Sequence, residues 1–196
     1  MARPKEQSVR RGEIVAAAQR AIVARGLAGL RIKDVAQEAG LSPGAVSYYY
    51  RDFEDLLADV HQDAVDRFYW QRLRAIEAIT EPAGQLVALV RGGVANGPDD
   101  ETCLVLYELH VHAARNRTHA VLMTALYDRE VSLYRQVLRA LPLDPGTADT
   151  VAANAVALED GYGLHIAGRN PHVPPKQARE RILAYLTAAT GADLKG

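Results

Sequence analysis

The stretch Ala39-Gly40-Leu41-Ser42-Pro43-Gly44 constrains this chain more than any other. Gly40 stands where a left-handed backbone relieves the strain of a reversal. Ser42 supplies an N-cap oxygen, and Pro43 takes a first helical position, where its missing N–H costs nothing. Two short helices therefore meet at a tight turn, predicted over Ile32–Ala39, with Val35 and Ala36 inward, and over Pro43–Tyr49. An earlier helix is expected from Val9 to Arg25, with Ile14, Ala17, Ala18, Ala21 and Ile22 on one face and Gly26 as its C-terminal cap. Asp52 followed by Asp55 opens a long fourth helix through Leu56, Leu57, Val60, Ala64 and Phe68 to the neighbourhood of Ile79.

The rest of the chain keeps the three-and-four spacing of amphipathic helices, and no segment alternates as a half-buried strand would. Further helices are expected over 83–96, 101–115, 118–141, 147–168 and 175–190, separated by GPDD, LPLDPG and GRNPHVPP. The 118–141 helix carries two apolar stripes, Leu126, Leu133 and Val137 on one and Tyr127, Val131, Tyr134 and Leu138 on the other, which predicts a central position. The expected fold is all-α, with about nine helices: a three-helix helix-turn-helix unit over 1–51, then a larger helical domain over 52–196.

Charge follows the same division. Residues 1–51 carry nine Lys and Arg against four Asp and Glu, whereas the remainder carries 14 against 20. A basic N-terminal segment is the footprint of a polyanion partner, which the acidic remainder would repel. Arg3, Lys5, Arg10 and Arg11 read either as a flexible basic arm adding salt-dependent affinity or as a solvated tail. The charged N-terminus lacks a signal peptide's apolar run, and no stretch reaches the roughly 18 apolar residues of a membrane span, so a cytoplasmic protein is expected. Cys103, the lone cysteine, reads as a buried structural thiol.

In a helix-turn-helix, the second short helix enters the DNA major groove, with its N-terminal residues toward base edges. Small residues are needed where backbone nears phosphate, and donors where phosphates or bases lie. Gly44, Ala45, Ser47, Tyr48 and Tyr49 meet that need, with Tyr48 and Tyr49 the foremost contacts, while Tyr50 is expected to point inward. The run RIKDVAQEAGLSPGAVSYYYRDFEDLL, with the preceding helix ending in Gly26, resembles the N-terminal signature of the TetR family of bacterial regulators over residues 9–60.

That resemblance implies a homodimer that binds a double-stranded, palindromic operator, with residues 52–196 as the effector-binding and dimerisation domain. In a two-fold dimer the recognition helices should lie about 34 Å apart to meet successive major grooves. Carried over by position, it implies phosphate contacts from Arg31 and Lys33 and DNA contacts from Ser42, Gly44, Ala45, Ser47, Tyr48 and Tyr49. The chain departs from the family pattern in having Arg31 where a capping Thr is common, Ser47 where a Tyr is common, and Phe53 in place of the usual phosphate-binding Lys. With the last change that contact is either absent or taken over by Arg51.

An effector pocket in such a protein is a largely apolar cavity with a few placed polar groups. Candidates are Phe68, Trp70, Tyr107, His110, Tyr127, Tyr134, Glu159 and Tyr162, which suggest a hydrophobic or aromatic small molecule. A metal site is not expected: His110 and His112 are two apart and diverge on a helix, leaving Glu108 with His112 as the one pair able to share an ion, with His61, His119 or His165 as a distant third ligand. No phosphate-binding Gly-rich loop, nucleophile elbow or HExxH is found, so neither catalytic residues nor a cofactor are expected. GYG at 161–163 suits close packing, at a dimer interface or beside a cavity. The function read from the sequence is a repressor released from its operator by a small molecule, with the long fourth helix as the pivot. The alternative is an effector-independent dimeric DNA-binding protein acting through protein partners.

Overall fold

The computed structural model describes residues 4–194, with side chains from Glu6 onward; Arg3 and the side chain of Lys5 lie outside the described residues. Nine helices and no strand are found among them: α1 (Pro4–Arg25), α2 (Ile32–Ala39), α3 (Pro43–Tyr49), α4 (Phe53–Glu77), α5 (Pro82–Gly93), α6 (Glu101–Ala113), α7 (Arg117–Leu138), α8 (Pro145–Ala167) and α9 (Pro175–Thr190). The all-α reading holds. The first helix starts five residues before Val9, because Pro4 is acceptable in a first turn and Glu6 favours the positive end of the helix dipole. Arg10 and Arg11 thus lie on a helix, not on an arm. Arg10 pairs with Glu13 at 2.6 Å, and Arg11 pairs with Asp59 at 2.8 Å. No helix among the described residues is long and apolar enough to cross a membrane.

The chain forms two compact units. One takes residues up to Asp66 together with Leu104–Met123; the other takes Arg67–Cys103 and the residues from Thr124 onward. In the first, the apolar face of α1 (Ile14, Ala17, Ala18, Ala21, Ile22) is buried, as are Val35 and Ala36 of α2 and Val46 of α3. Gly40 has φ 65°, and its N–H bonds back to α2, so the turn between α2 and α3 depends on the residue best able to adopt that backbone. Gln19 donates to Asp63 at 2.7 Å, and the Leu27 N–H donates to Glu108 at 3.0 Å. Glu108 is therefore committed to the end of the α1 loop.

In the second unit, α5, α8 and α9 pack on one another through Leu86, Leu89 and Val90, through Ala152, Ala155 and Val156, and through Ile182 and Leu186, all fully buried. Small residues on α8 let these helices approach closely. On α7, Leu126, Val131, Leu133, Tyr134, Val137 and Leu138 are buried as the two stripes require. Tyr127 departs from them and is exposed.

Candidate functional site

The recognition helix is built from both ends. At its start, the Ser42 hydroxyl accepts from the Ala45 N–H at 3.2 Å, with Pro43 following as the first helical residue. At its end, Tyr50 is buried; its hydroxyl donates to Asp59 at 2.7 Å, and the Arg11 guanidinium lies 4.3 Å above its ring. Burial first, and then Asp59, push the Tyr50 hydroxyl up to about 12, so it stays a donor. Between these anchors Tyr48 is 69% exposed, and Tyr49 is half-buried against it, edge to face with ring centres 5.1 Å apart. Gly44 and Ser47 are exposed and Ala45 half-buried on the same short helix.

Arg31, Lys33 and Arg51 are all exposed. Arg31 is the N-cap of α2, and its N–H donates to Asp34 at 2.9 Å. A guanidinium cannot accept the return bond that a Thr hydroxyl would. Phe53, the first residue of α4, is half-buried.

The second unit contains a cavity of about 540 Å³. Its wall includes Phe68, Arg72 and Ala75 of α4, Arg91 of α5, and Asp100 and Cys103 around the start of α6. Burial pushes the Cys103 thiol up to about 12, leaving it protonated and inert. Of the eight residues proposed from sequence as ligand contacts, Phe68 lies on this wall. Tyr134 and Glu159 are fully buried and meet each other, the hydroxyl donating to the carboxylate at 2.5 Å. Trp70 and Tyr127 are exposed, and Tyr162 is half-buried with Arg181 over its ring at 5.9 Å. Tyr107 and His110 belong to the other unit, with ring centres 6.4 Å apart.

Behind the wall Arg72 organises a buried polar cluster. Its guanidinium donates to Glu130 at 2.5 Å, to both Glu159 oxygens at 2.9 and 3.0 Å, and to the Leu89 carbonyl at 3.1 Å. Burial opposes its charge, but the two carboxylates outweigh that and raise its pKa further. Burial likewise pushes Glu130 up to about 8 and Glu159 up to about 7, against the pull of Arg72. One cation facing two carboxylates compensates one of them, and the other takes up a proton first. The signal in the sequence was spacing: Phe68, Arg72 and Ile76 recur every four residues, placing a cation on the apolar stripe of α4.

Residues 14–60 match the family described as bacterial regulatory proteins, tetR family, and residues 82–191 match the BetI-type transcriptional repressor C-terminal domain. The chain is 29% identical over 188 residues to the HTH-type transcriptional regulator BetI of Ectopseudomonas mendocina, an alignment covering 92% of this chain and 93% of that one. A transcriptional regulator from Saccharomonospora viridis, solved in complex with choline, aligns with a TM-score of 0.82 at 22% identity over 91% of this chain and 96% of that one. A TetR transcription regulator from Haloarcula marismortui aligns with a TM-score of 0.82 at 23% identity, covering 92% and 98%.

Proposed function

Because the chain belongs to the TetR family of transcriptional regulators, with a BetI-type C-terminal domain, we propose that it is a homodimeric repressor released from a palindromic operator when a small molecule enters the cavity beside Arg72. As a member of that family it is a DNA-binding regulator and not an enzyme. The observation carrying the DNA interface is the exposed Tyr48 on a short helix held by the Ser42 cap and the Tyr50 anchor. Tyr48, Tyr49 and Ser47 face the major groove; Gly44 and Ala45 admit close backbone approach; Ser42 offers its hydroxyl at the helix start; Arg31, Lys33 and Arg51 hold phosphates. In this reading residues 1–51 form the DNA-binding domain, 52–196 the effector and dimerisation domain, and the protein works in the cytoplasm, where its operator is.

The reading of the effector rests on the cavity wall. Phe68 gives it an aromatic face, while Arg72, Arg91 and Asp100 make it more polar than the aromatic residues of the sequence suggested. A small polar molecule suits such a wall better than a purely hydrophobic one. Trp70, Tyr127 and Tyr162 are not among the residues of this wall, and Tyr107 and His110 belong to the first unit. The helix that supplies Phe68 and Arg72 begins three residues after the recognition-helix anchor Tyr50, which supports α4 as the pivot. Dimerisation is supported by the outer face of α8, where Ala157 and Gly161 are exposed, Leu164 is 60% exposed, and a Cβ at Gly161 would meet open space. Small residues there would admit a partner helix closely.

Fluorescence anisotropy on operator DNA selected by the full-length protein tests the proposal, with choline, the ligand of the Saccharomonospora viridis regulator, as the first compound and a metabolite panel after it. A compound that binds the protein calorimetrically should weaken operator affinity, and DNA should weaken its binding by the same factor. Operator affinity that is identical with and without every compound bound would favour the effector-independent alternative.

A further inference from the structure

The first unit brings three side chains from three helices to one point. Glu54 stands in the first turn of α4, His112 in the last turn of α6 and His119 in the first turn of α7. The Glu54 Oε2 lies 3.1 Å from the His112 Nε2 and 3.8 Å from the His119 Nε2, and the three atoms all lie within 4.8 Å of one another. We propose that Glu54, His112 and His119 form a binding site for a divalent transition-metal ion of the zinc class.

The His119 Nε2 decides between this and an ordinary ion pair. His119 is 1% exposed, and its Nε2 is buried with no hydrogen-bond partner, facing Glu54 across a gap too long for a hydrogen bond. Zinc binds imidazole nitrogen and carboxylate oxygen at about 2.0–2.2 Å, which sets tetrahedral ligand atoms roughly 3.3 Å apart. The 3.1 and 3.8 Å separations bracket that spacing and the third, between the two imidazoles, is within 4.8 Å, so an ion would draw His112 and His119 together by at most roughly 1.5 Å.

The surroundings orient the ligands as supporting partners in metal sites do. The His119 Nδ1 lies 3.0 Å from the His61 Nδ1, a contact that requires a proton on one ring and a lone pair on the other. With the proton on the His119 Nδ1, its Nε2 presents a lone pair to the site. Asn116 caps α7 through its carbonyl oxygen and donates its amide to the Glu54 Oε2 at 2.5 Å, tying the carboxylate to the same helix end. Glu54 is half-exposed, which leaves an entry path and an open coordination position for water. Two imidazoles and a carboxylate select Zn, Co or Ni over Ca or Mg. The ion would pin the start of α4, just beyond Tyr50 and Arg51, to the α6–α7 turn.

The test titrates chelator-treated full-length protein with zinc chloride by calorimetry and with cobalt chloride by visible absorption. One ion per chain, a ligand-field spectrum of low coordination number and a zinc-dependent rise in Tm are expected. E54Q and H112N change half-exposed positions and should keep the helical circular-dichroism spectrum, yet lower affinity by more than the roughly 10- to 100-fold that loss of a supporting partner costs. H119N should do the same where its spectrum is native. The proposal is overturned by the absence of saturable binding at micromolar zinc, or by isotherms unchanged in E54Q and H112N, which would place the metal on other histidines.

Discussion

Arg72 of α4 and Glu159 of α8 meet inside the second unit at 2.9 Å, each almost wholly removed from solvent, and Glu130 closes on the same guanidinium from α7. Two buried charges cost more to desolvate than an exposed pair, so removing one partner leaves the others uncompensated. Arg72→Ala is expected to destabilise the protein by about 3–5 kcal/mol. Urea denaturation monitored by circular dichroism measures this, and a loss under about 1 kcal/mol would mean that water reaches the site freely.

Gly93, at the end of α5, faces the same cluster. A methyl group there would overlap the Glu159 carboxylate, which is already held by Arg72 and Tyr134 and has no slack to retreat. Gly93→Ala should therefore lower the Tm, although Ala is the better helix former by about 1 kcal/mol. Gly161→Ala, facing open space on α8, tests the dimer instead: it should leave monomer folding intact and weaken self-association measured by analytical ultracentrifugation.

The cluster also predicts a pH dependence. Burial holds the Glu130 carboxyl at about 8 in the folded chain against an ordinary value near 4.5, so the folded state carries a proton that the unfolded chain has lost. The associated stability is complete at acidic pH and falls as pH rises through 8, with a slope of up to about 1.4 kcal/mol per pH unit. Between pH 6.5 and 8.5 the Tm of the wild type should fall relative to that of Glu130→Gln, which cannot titrate. Parallel curves for the two proteins would remove Glu130 as the source.

On the recognition helix, adjacent tyrosines should separate cleanly. Tyr48→Ala is expected to weaken operator binding by about 1–3 kcal/mol with an unchanged Tm, because its ring is exposed. Tyr50→Ala should act on folding, by roughly 3–5 kcal/mol, since its ring is buried and its hydroxyl serves Asp59. Anisotropy and thermal melts on both variants check the division; a lowered Tm in Tyr48→Ala would move that residue into the core.

Arg51 carries a separate expectation. If it holds a phosphate in place of the lysine absent at Phe53, Arg51→Ala should weaken binding alike across DNA sequences and reduce the slope of log affinity on log salt by about 1. An unchanged salt slope would assign no phosphate to it.

Local chemistry made the helix-turn-helix legible. Gly40, Ser42 and Pro43 each act within a turn of their own position, so α2 and α3 begin and end where those residues dictate. Spacing alone likewise put Ile14, Ala18 and Ile22 inward and separated Tyr50 from Tyr48. The polar sites were harder to see because their members are distant in sequence. Arg72, Glu130 and Glu159 come from three helices, and so do Glu54, His112 and His119. Looking along α6 alone paired Glu108 with His112, whereas Glu108 accepts from the Leu27 backbone and His112 turns to Glu54. The aromatic side chains read as pocket lining divided among a wall, a buried cluster and the surface for the same reason. Helix identity, caps and inward faces follow from neighbours three or four residues away, whose energies the sequence determines by itself. Which charge meets which, and which ring reaches a cavity, is decided only when separate helices pack, because burial gives those encounters their strength.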